Sequence, residues 1–419
     1  MLRFLTSGES HGPTLLAILD GMPAGLTLDI EAINTELSRR QKGYGRGARQ
    51  KIETDQADFV GGVRHGVTTG SPIAIRIVNR DFDNWKHVMS TIKVNPDLAE
   101  VKEQLAKKSI TRFRPGHADL SGTLKFRQAD IRDVLERSSA RETAARVAVG
   151  AVCQQLLKHF AVSLVAHVTQ VGSIRAKAIH KSTPLSEVES LTMQSEMFCA
   201  DDKATDEMKE LIKQHWQEGD TLGGVIEVLA DGLPVGLGSY TQWDARLDGQ
   251  LAQALMSIQA MKAVEIGAGI EAASMKGSLV HDAMYPANNK ELPFERKTNH
   301  AGGIEGGMTN GERLTLHAFM KPLPTLRNGL PSVDFPDFKA DTAHFERSDV
   351  CAISAASIVC KAMTAFVLAK ALLDKFGSDT IADIEAAITN YRKFCREPAT
   401  YLRKKSLSSV ADNEEAELE

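Results

Sequence analysis

The sequence predicts an α+β fold, and three observations carry that reading. Strand-like and helix-like runs are mixed along the chain without the strict β-α alternation that a doubly wound sheet requires. Apolar residues make up 42% of the 419 positions, enough for a substantial core. No internal repeat and no stretch rich in Pro, Gly or Ser divides the chain. One unit is therefore expected over residues 1–405. The remainder, SLSSVADNEEAELE at 406–419, has the polar, acidic composition of a solvated, disordered tail.

The elements follow in order. Residues 2–6 read as a short strand, and Leu15 to Leu19 as a second apolar run after a polar loop. Asp29 is placed to cap a helix whose apolar face is Ile30, Ile33 and Leu37. That helix ends in a basic, glycine-studded loop from Arg39 to Lys51, and Pro72 to Val78 alternates as a strand. Ser139 and Glu142 make a capping box at the head of a helix continued by Val147, Ala151, Val152 and Leu156. A surface helix over Asp206 to Gln217 sets Met208, Leu211, Ile212 and Trp216 on one side. A strand is expected around Val225 to Leu229, then a helix marked by Leu251, Leu255 and Ile258. A glycine-rich stretch from Ala301 to Gly311 leads into a strand at Leu314 to Met320. The longest apolar run, Val350 to Leu373, is interrupted by Lys361 and Lys370, which favours a buried or interfacial helix over a membrane span.

Composition narrows the function classes. A formal net charge of −4 argues against a general nucleic-acid binder. The five cysteines are odd in number and form no CxxC, so free buried thiols in a reducing compartment are expected, with neither a disulfide framework nor a metal site. Glu9, His11 and Pro13 break the N-terminal segment before a signal-like apolar run develops. A soluble, cytoplasmic protein that binds neither nucleic acid nor membrane is the expectation.

Several clusters carry chemistry. Gly8-Glu9-Ser10-His11-Gly12 matches the G-x-S-x-G elbow of α/β-hydrolases, but Pro13 and a strand-like run stand where that motif needs a helix. Arg39, Arg40, Lys42, Arg46, Arg49 and Lys51 interleave with glycines. Such a loop is suited to anions, because guanidinium forks match phosphate and glycine lets backbone approach it. A solvated basic loop is the bland alternative. Arg112-Phe113-Arg114-Pro115-Gly116-His117-Ala118-Asp119 packs two arginines, a rigid turn and a titrating histidine into one short run. Arg137, Ser138, Ser139 and Arg141 crowd the start of the capped helix, where free amides and the helix dipole favour an anion. Farther on, the Gly306–Gly311 segment, Lys321-Pro322-Leu323-Pro324-Thr325 and Arg347-Ser348-Asp349 suit the cradling of a polyoxygenated ligand.

Taken together, these segments resemble the chorismate synthase family. GESHG at 8–12 with Asp20-Gly21-Met22-Pro23, RRQKGYGRGARQKIETDQ at 39–56, RPGHADL at 114–120, ERSSARETAARVAVGA at 136–151 and TNHAGGIEGGMTNG at 298–311 follow in family order, with RSD at 347–349. The resemblance covers roughly residues 1–400 as one unit. It implies a single-domain β-α-β sandwich with helices between antiparallel sheets, assembled as a homotetramer. It also implies a lyase of the shikimate pathway that eliminates phosphate from 5-enolpyruvylshikimate 3-phosphate to give chorismate. Such an enzyme requires reduced FMN but performs no net redox.

By resemblance, His11 protonates the departing phosphate, His117 protonates the reduced flavin, Asp349 assists proton removal at the flavin N5 and Ser10 supports that region. Arg49, Arg114 and Arg141 would bind substrate. FMN contacts would fall on Arg137, Ser138, Ser139, Gln259, Ala260, Gly306, Lys321, Pro322, Leu323, Pro324, Thr325 and Arg347. Arg40 and Arg46 match positions linked to NADP(H), the electron source where a member reduces its own flavin. The chain departs from the family pattern at Phe113, Gln259, Val350 and Lys361, where proline, asparagine, proline and glutamate are expected. Two other classes stay open on the residues alone: a flavin-dependent oxidoreductase with net redox, and a non-enzymatic phosphate or RNA binder that would leave His11 and His117 unexplained.

Overall fold

Period-two burial builds the first sheet. β1 (Arg3–Ser7) and β2 (Thr14–Asp20) pair antiparallel, Arg3 opposite Asp20 and Ser7 opposite Leu16. In β2, Leu15, Ala17 and Leu19 are buried while Leu16 and Ile18 stay exposed, as alternation across a strand requires. α1 (Ile30–Gln41) starts at Asp29, whose carboxylate accepts from the Glu31 and Ala32 N–H groups, and it buries Ile33 and Leu37 completely. β3 (Ala57–Gly61) and β4 (Ile73–Val78) complete an antiparallel sheet in the order β1-β2-β4-β3. Ile73, Ile75 and Ile77 of β4 lie opposite Leu19, Ala17 and Leu15 and bury toward the same side. The computed structural model describes residues 1–46, 54–287, 292–346 and 348–401. Arg49, Arg347 and the tail at 406–419 lie outside the described residues.

Two short helices, α2 (Asp119–Phe126) and α3 (Arg132–Ser138), lead into α4 (Thr143–His159). The expected capping box is half present. Ser139 accepts from the Arg141 N–H at 3.3 Å, heading a single 3-10 turn that runs into α4. Glu142 does not close the box. It accepts instead from Thr6, Arg146 and Gln259, because charge-assisted bonds to arginine outcompete a backbone amide.

The second sheet is assembled from β5 (Ser163–Val171), β6 (Ile174–Arg175), β7 (Gly224–Asp231), β8 (Met261–Ile266) and β9 (Leu314–Met320). Its order is β8-β9-β7-β5-β6, antiparallel throughout. The helix over Asp202–Glu218 buries Met208 and Ile212, but Trp216 lies outward with the Arg327 guanidinium 4.9 Å from its ring. Leu251 and Leu255 are fully buried on the helix Leu247–Met256.

The long apolar run is α5 (Ile353–Phe376). Among the described residues it is the one helix long and apolar enough to cross a membrane, yet 83% of its most apolar window is buried inside the protein. α5 packs on α4, β5 and β7, while α4 also lies against β2 and β4. Gly150 allows the α4–α5 crossing, since a β-carbon there would sit 2.4 Å from that of Ala362. Truncating the fully buried Leu156 of α4 to alanine would cost about 2–5 kcal/mol.

Lys361 is buried on α5 at 3% exposure and finds a carboxylate, its Nζ lying 2.7 Å from Glu36 of α1. Burial pushes the Glu36 carboxyl up, but Lys361 and Arg39 outweigh it and hold the group below the usual carboxylate range. An isolated ammonium there would be prohibitively costly, so the departure from the family's glutamate comes with its own counter-ion. The five cysteines are free thiols, four of them buried, and burial pushes Cys351 up to about 12.

Candidate active site

One cleft collects residues from seven stretches: the β1–β2 turn, Arg40 and Arg46 at and beyond the end of α1, the 112–119 loop, the α3–α4 junction, residues 258–260, the segment 320–325, and Glu346, Ser348 and Asp349 with the first turns of α5. It encloses about 1370 Å³ of non-atom space, part of it open to solvent.

His11 sits in the turn between β1 and β2. The GESHG segment thus joins two antiparallel strands, and no helix follows it, which removes the hydrolase elbow. The Ser10 N–H donates to the Glu136 carbonyl at 3.0 Å, fastening the turn to α3. Glu136 then reaches His11 twice: Oε1 lies 2.8 Å from the ring Nδ1 and Oε2 accepts from the His11 N–H at 2.8 Å. The imidazole stacks on Trp85 with ring centroids 3.7 Å apart. Arg132 donates to Glu136 at 3.0 Å and to Glu346 at 3.0 Å. Burial would push both carboxyls up. The bond to His11 together with Arg132 instead holds Glu136 down, and His344 and Arg132 hold Glu346 at about 2.

His117 is placed by its own loop. Its Nδ1 lies 2.6 Å from Asp119 Oδ1, and Arg114 forks onto the same carboxylate through Nε at 2.8 Å and Nη2 at 2.9 Å. Asp119 is fully buried at the start of α2. Burial pushes its carboxyl up, but His117 and Arg114 overcome that and hold it far below the usual range. Arg114 Nη1 has only a 3.5 Å contact to Thr325 Oγ1 and is the part of this arginine left to donate to a ligand. Lys321 donates to the Gly116 carbonyl at 2.6 Å, tying the turn to the segment 320–325.

The remaining cations come in pairs with carboxylates. Arg141 Nη1 lies 2.5 Å from both oxygens of Asp55, and Arg40 lies 3.5 Å from the same group while donating to Thr143 and to the Ala140 carbonyl. Arg46 pairs with Asp349 at 2.7 Å. Ser10 accepts from the Ser139 hydroxyl at 3.2 Å. Gln259 donates to Glu142, but its Oε1 is buried without a hydrogen-bond partner, a vacant acceptor on the cleft wall. Ala260 beside it takes φ +67, a conformation that disfavours a β-carbon.

Of the residues predicted from sequence, Ser10, His11, Arg40, Arg46, Arg114 and His117 line this cleft, as do Ser139, Arg141, Gln259 and Ala260. Leu323, Pro324, Thr325 and Asp349 line it too. Arg137, Ser138, Gly306, Lys321 and Pro322 do not. Arg137 is exposed and donates to the Gly8 and Thr6 carbonyls, bracing the β1–β2 hairpin, and the Ser138 hydroxyl turns back to Leu135. Gly306 lies in the hairpin of Ile304–Glu305 and Met308–Thr309. Sequence reasoning assigned no role to Asp55, Trp85, Asp119, Arg132, Glu136 or Glu346. Asp119 alone carried a local signal, an acid two residues after a histidine.

Two carboxylate-anchored histidines facing a cleft with four arginines are the equipment of an acid–base enzyme acting on an anionic small molecule. The comparisons specify which. The family model for chorismate synthase matches residues 2–373. The chorismate synthase of Moorella thermoacetica is 51% identical over 397 residues, 95% of this chain and all of the relative. Those of Desulforamulus reducens and Geobacter sulfurreducens are each 50% identical, over 397 and 401 residues, covering 95% and 94% of this chain and all of each relative. A crystal structure of chorismate synthase superposes with a TM-score of 0.75 at 38% identity, covering 94% of this chain and 98% of that one. The chain belongs to the chorismate synthase family. It is a carbon–oxygen lyase of the shikimate pathway that converts 5-enolpyruvylshikimate 3-phosphate to chorismate and phosphate, and the family uses reduced FMN without net redox.

Proposed function

We propose that this cleft is where the 1,4-elimination takes place, with the enolpyruvyl shikimate phosphate and reduced FMN side by side. What carries the reading is the meeting of His11 and His117 with Arg40, Arg46, Arg114 and Arg141 in one cavity, although the sequence spreads them over residues 11–141. His11 donates a proton to the departing phosphate. Arg141 and Arg114 bind the anionic substrate, and Arg49 is assigned with them by resemblance alone. His117, oriented by Asp119, holds a proton for the flavin ring, and Asp349, held by Arg46, assists proton removal at N5 with Ser10 in support. When bound there, a reduced flavin would supply electron density that helps phosphate leave, without net change of its oxidation state.

The chain's residues fit such a cofactor. The unpartnered Gln259 Oε1 suits a ring N–H donor, and Ser139, Ala260 and Leu323 to Thr325 border the same space. Arg137, Ser138, Gly306, Lys321, Pro322 and Arg347 belong to this assignment by resemblance, the first five from beyond the cleft wall. Arg40 and Arg46 remain the candidates for NADP(H). We read the architecture as a β-α-β sandwich over residues 1–405, supported by α4 on the first sheet and α5 on the second. We also read the protein as cytoplasmic, consistent with its free buried thiols. We assign a homotetramer by resemblance; the exposed Leu5, Leu16 and Ile18 on one face of the first sheet are compatible with self-association.

The test is anaerobic turnover with chemically reduced FMN. Many chorismates and phosphates per flavin are expected, with the flavin still reduced at the end and no product from oxidised FMN alone. Stoichiometric flavin oxidation, or full activity with oxidised FMN, would overturn the proposal.

A further inference from the structure

Three contacts converge on His11 from residues that the assignments above leave without a role. Glu136 holds it through both carboxylate oxygens, one on the ring Nδ1 and one on the backbone N–H, each at 2.8 Å. The flat side of the ring lies on Trp85, centroids 3.7 Å apart and planes 23° from parallel. Trp85 has little freedom of its own. It is 6% exposed, its indole N–H donates to Asp81 at 3.1 Å, and the Lys108 ammonium lies 3.6 Å from its ring centroid.

The physics of such an enclosure is specific. An imidazole whose Nδ1–H is taken by a carboxylate has one tautomer and leaves Nε2 for chemistry. A ring stacked face-on against an immobile indole cannot swing about its side-chain torsion without losing that contact, and an imidazolium is further attracted to the negative π face. The double hold of Glu136 also fixes the backbone from which the ring projects, so tautomer, plane and origin are all set. A core tryptophan packed only for stability would need no such registry with a histidine.

We propose that Glu136 and Trp85 are positioning residues for His11, Glu136 selecting the nitrogen that faces the cleft and Trp85 the plane in which it is presented. The inference rests on His11 being the acid of the reaction. The experiment compares Trp85→Leu, Trp85→Phe, Glu136→Gln and His11→Ala. It measures kcat and KM for the shikimate phosphate with reduced FMN, and Trp85 emission in a Trp216→Phe/Trp243→Phe background, where Trp85 is the only indole.

Trp85→Leu and Glu136→Gln are expected to lower kcat roughly 10–100-fold with KM within about threefold, and Trp85→Phe, which keeps a ring to stack on, to recover most of it. His11→Ala should brighten Trp85 emission, because a stacked imidazole quenches indole. Wild-type kcat in Glu136→Gln while His11→Ala is inactive would overturn the positioning roles and leave the acid assignment intact. Full turnover in His11→Ala would overturn both, and unchanged emission would remove the stack itself. If Trp85→Leu does not fold, Glu136→Gln, which changes shape little, decides.

Discussion

The two histidines of the cleft are anchored by the same chemistry and built by opposite routes. His117 is held by Asp119 and Arg114, two and three residues away, so one loop carries its complete set of partners. His11 is held by Glu136, 125 residues distant, and by Trp85 from a third segment. The exposures match: the His117 side chain is 17% accessible and that of His11 only 7%. A loop that organises itself can sit near the mouth of a cleft and keep its geometry. A histidine assembled from long-range contacts holds its place only when the hairpin, α3 and the Trp85 segment are all docked. The second arrangement costs more conformational entropy to form, and it ties the acid for the leaving phosphate to the integrity of the whole fold.

The largest expected effect separates function from folding at both stations. His11→Ala and His117→Ala should each slow turnover by roughly 100-fold or more, the scale of a positioned acid. Because His11 is packed against Trp85 and Glu136, its alanine variant should also lose thermal stability, whereas His117→Ala should lose less. Equal melting temperatures with unequal rates would break the contrast between the two stations, and near-normal turnover in either variant removes that histidine from the reaction.

This contrast also marks what was legible in the sequence. The strands around Leu15–Leu19 and Ile73–Val78, the Asp29 cap and the long apolar helix were readable because burial period and capping are local properties. So was the His117 loop, whose Asp119 lay inside the quoted motif. Glu136 was in view too, one residue before Arg137, but nothing local says that its carboxylate reaches a histidine in the first hairpin. Asp55 was hidden for the same reason: its partners Arg40 and Arg141 come from two other stretches. The positive charges were easy to see and their counter-ions were not. Reading Arg141 as an anion ligand at the helix start could not reveal that it is 7% exposed and already paired with Asp55.

Asp119→Asn comes next in size. It keeps the shape of the side chain but removes the charge that fixes His117 and balances Arg114, so kcat should fall roughly 10–100-fold. The variant also has a pH signature. The folded carboxyl is held well below its unfolded value, so its stabilisation is complete above about pH 4 and is lost as the pH falls from there. The melting-temperature gap between wild type and variant should therefore be widest near neutrality and narrow below about pH 4. A gap that stays constant to low pH would mean that Asp119 is not ionised in its pair with Arg114.

Arg141→Ala should show a smaller loss that is shared between binding and stability. It removes the closest partner of Asp55, leaving that buried carboxylate to Arg40 at 3.5 Å. About 1–3 kcal/mol of stability should go with it, alongside a substrate KM raised about tenfold. Unchanged KM with the stability loss intact would make Arg141 a structural member of the site and nothing more.

The smallest effect is expected at Gly116, the hinge of the self-contained station. Its φ of +80° disfavours a β-carbon, at a cost of about 1–2 kcal/mol. Space is not the obstacle. The nearest atom to an added β-carbon is the Lys321 ammonium at 3.1 Å, the far end of a flexible side chain. At Gly8, beside the other histidine, the same atom would lie 2.3 Å from the Thr14 carbonyl oxygen, which belongs to the sheet and cannot yield. Gly116→Ala should therefore fold, lose only that backbone cost, and retain turnover within a few-fold of wild type, because Arg114 and Asp119 still hold His117. The measurement is kcat beside thermal melting. A loss of activity as large as that of His117→Ala would mean that the turn, and not the Arg114–Asp119 fork, sets the histidine, and that the local station is as dependent on its surroundings as the distant one.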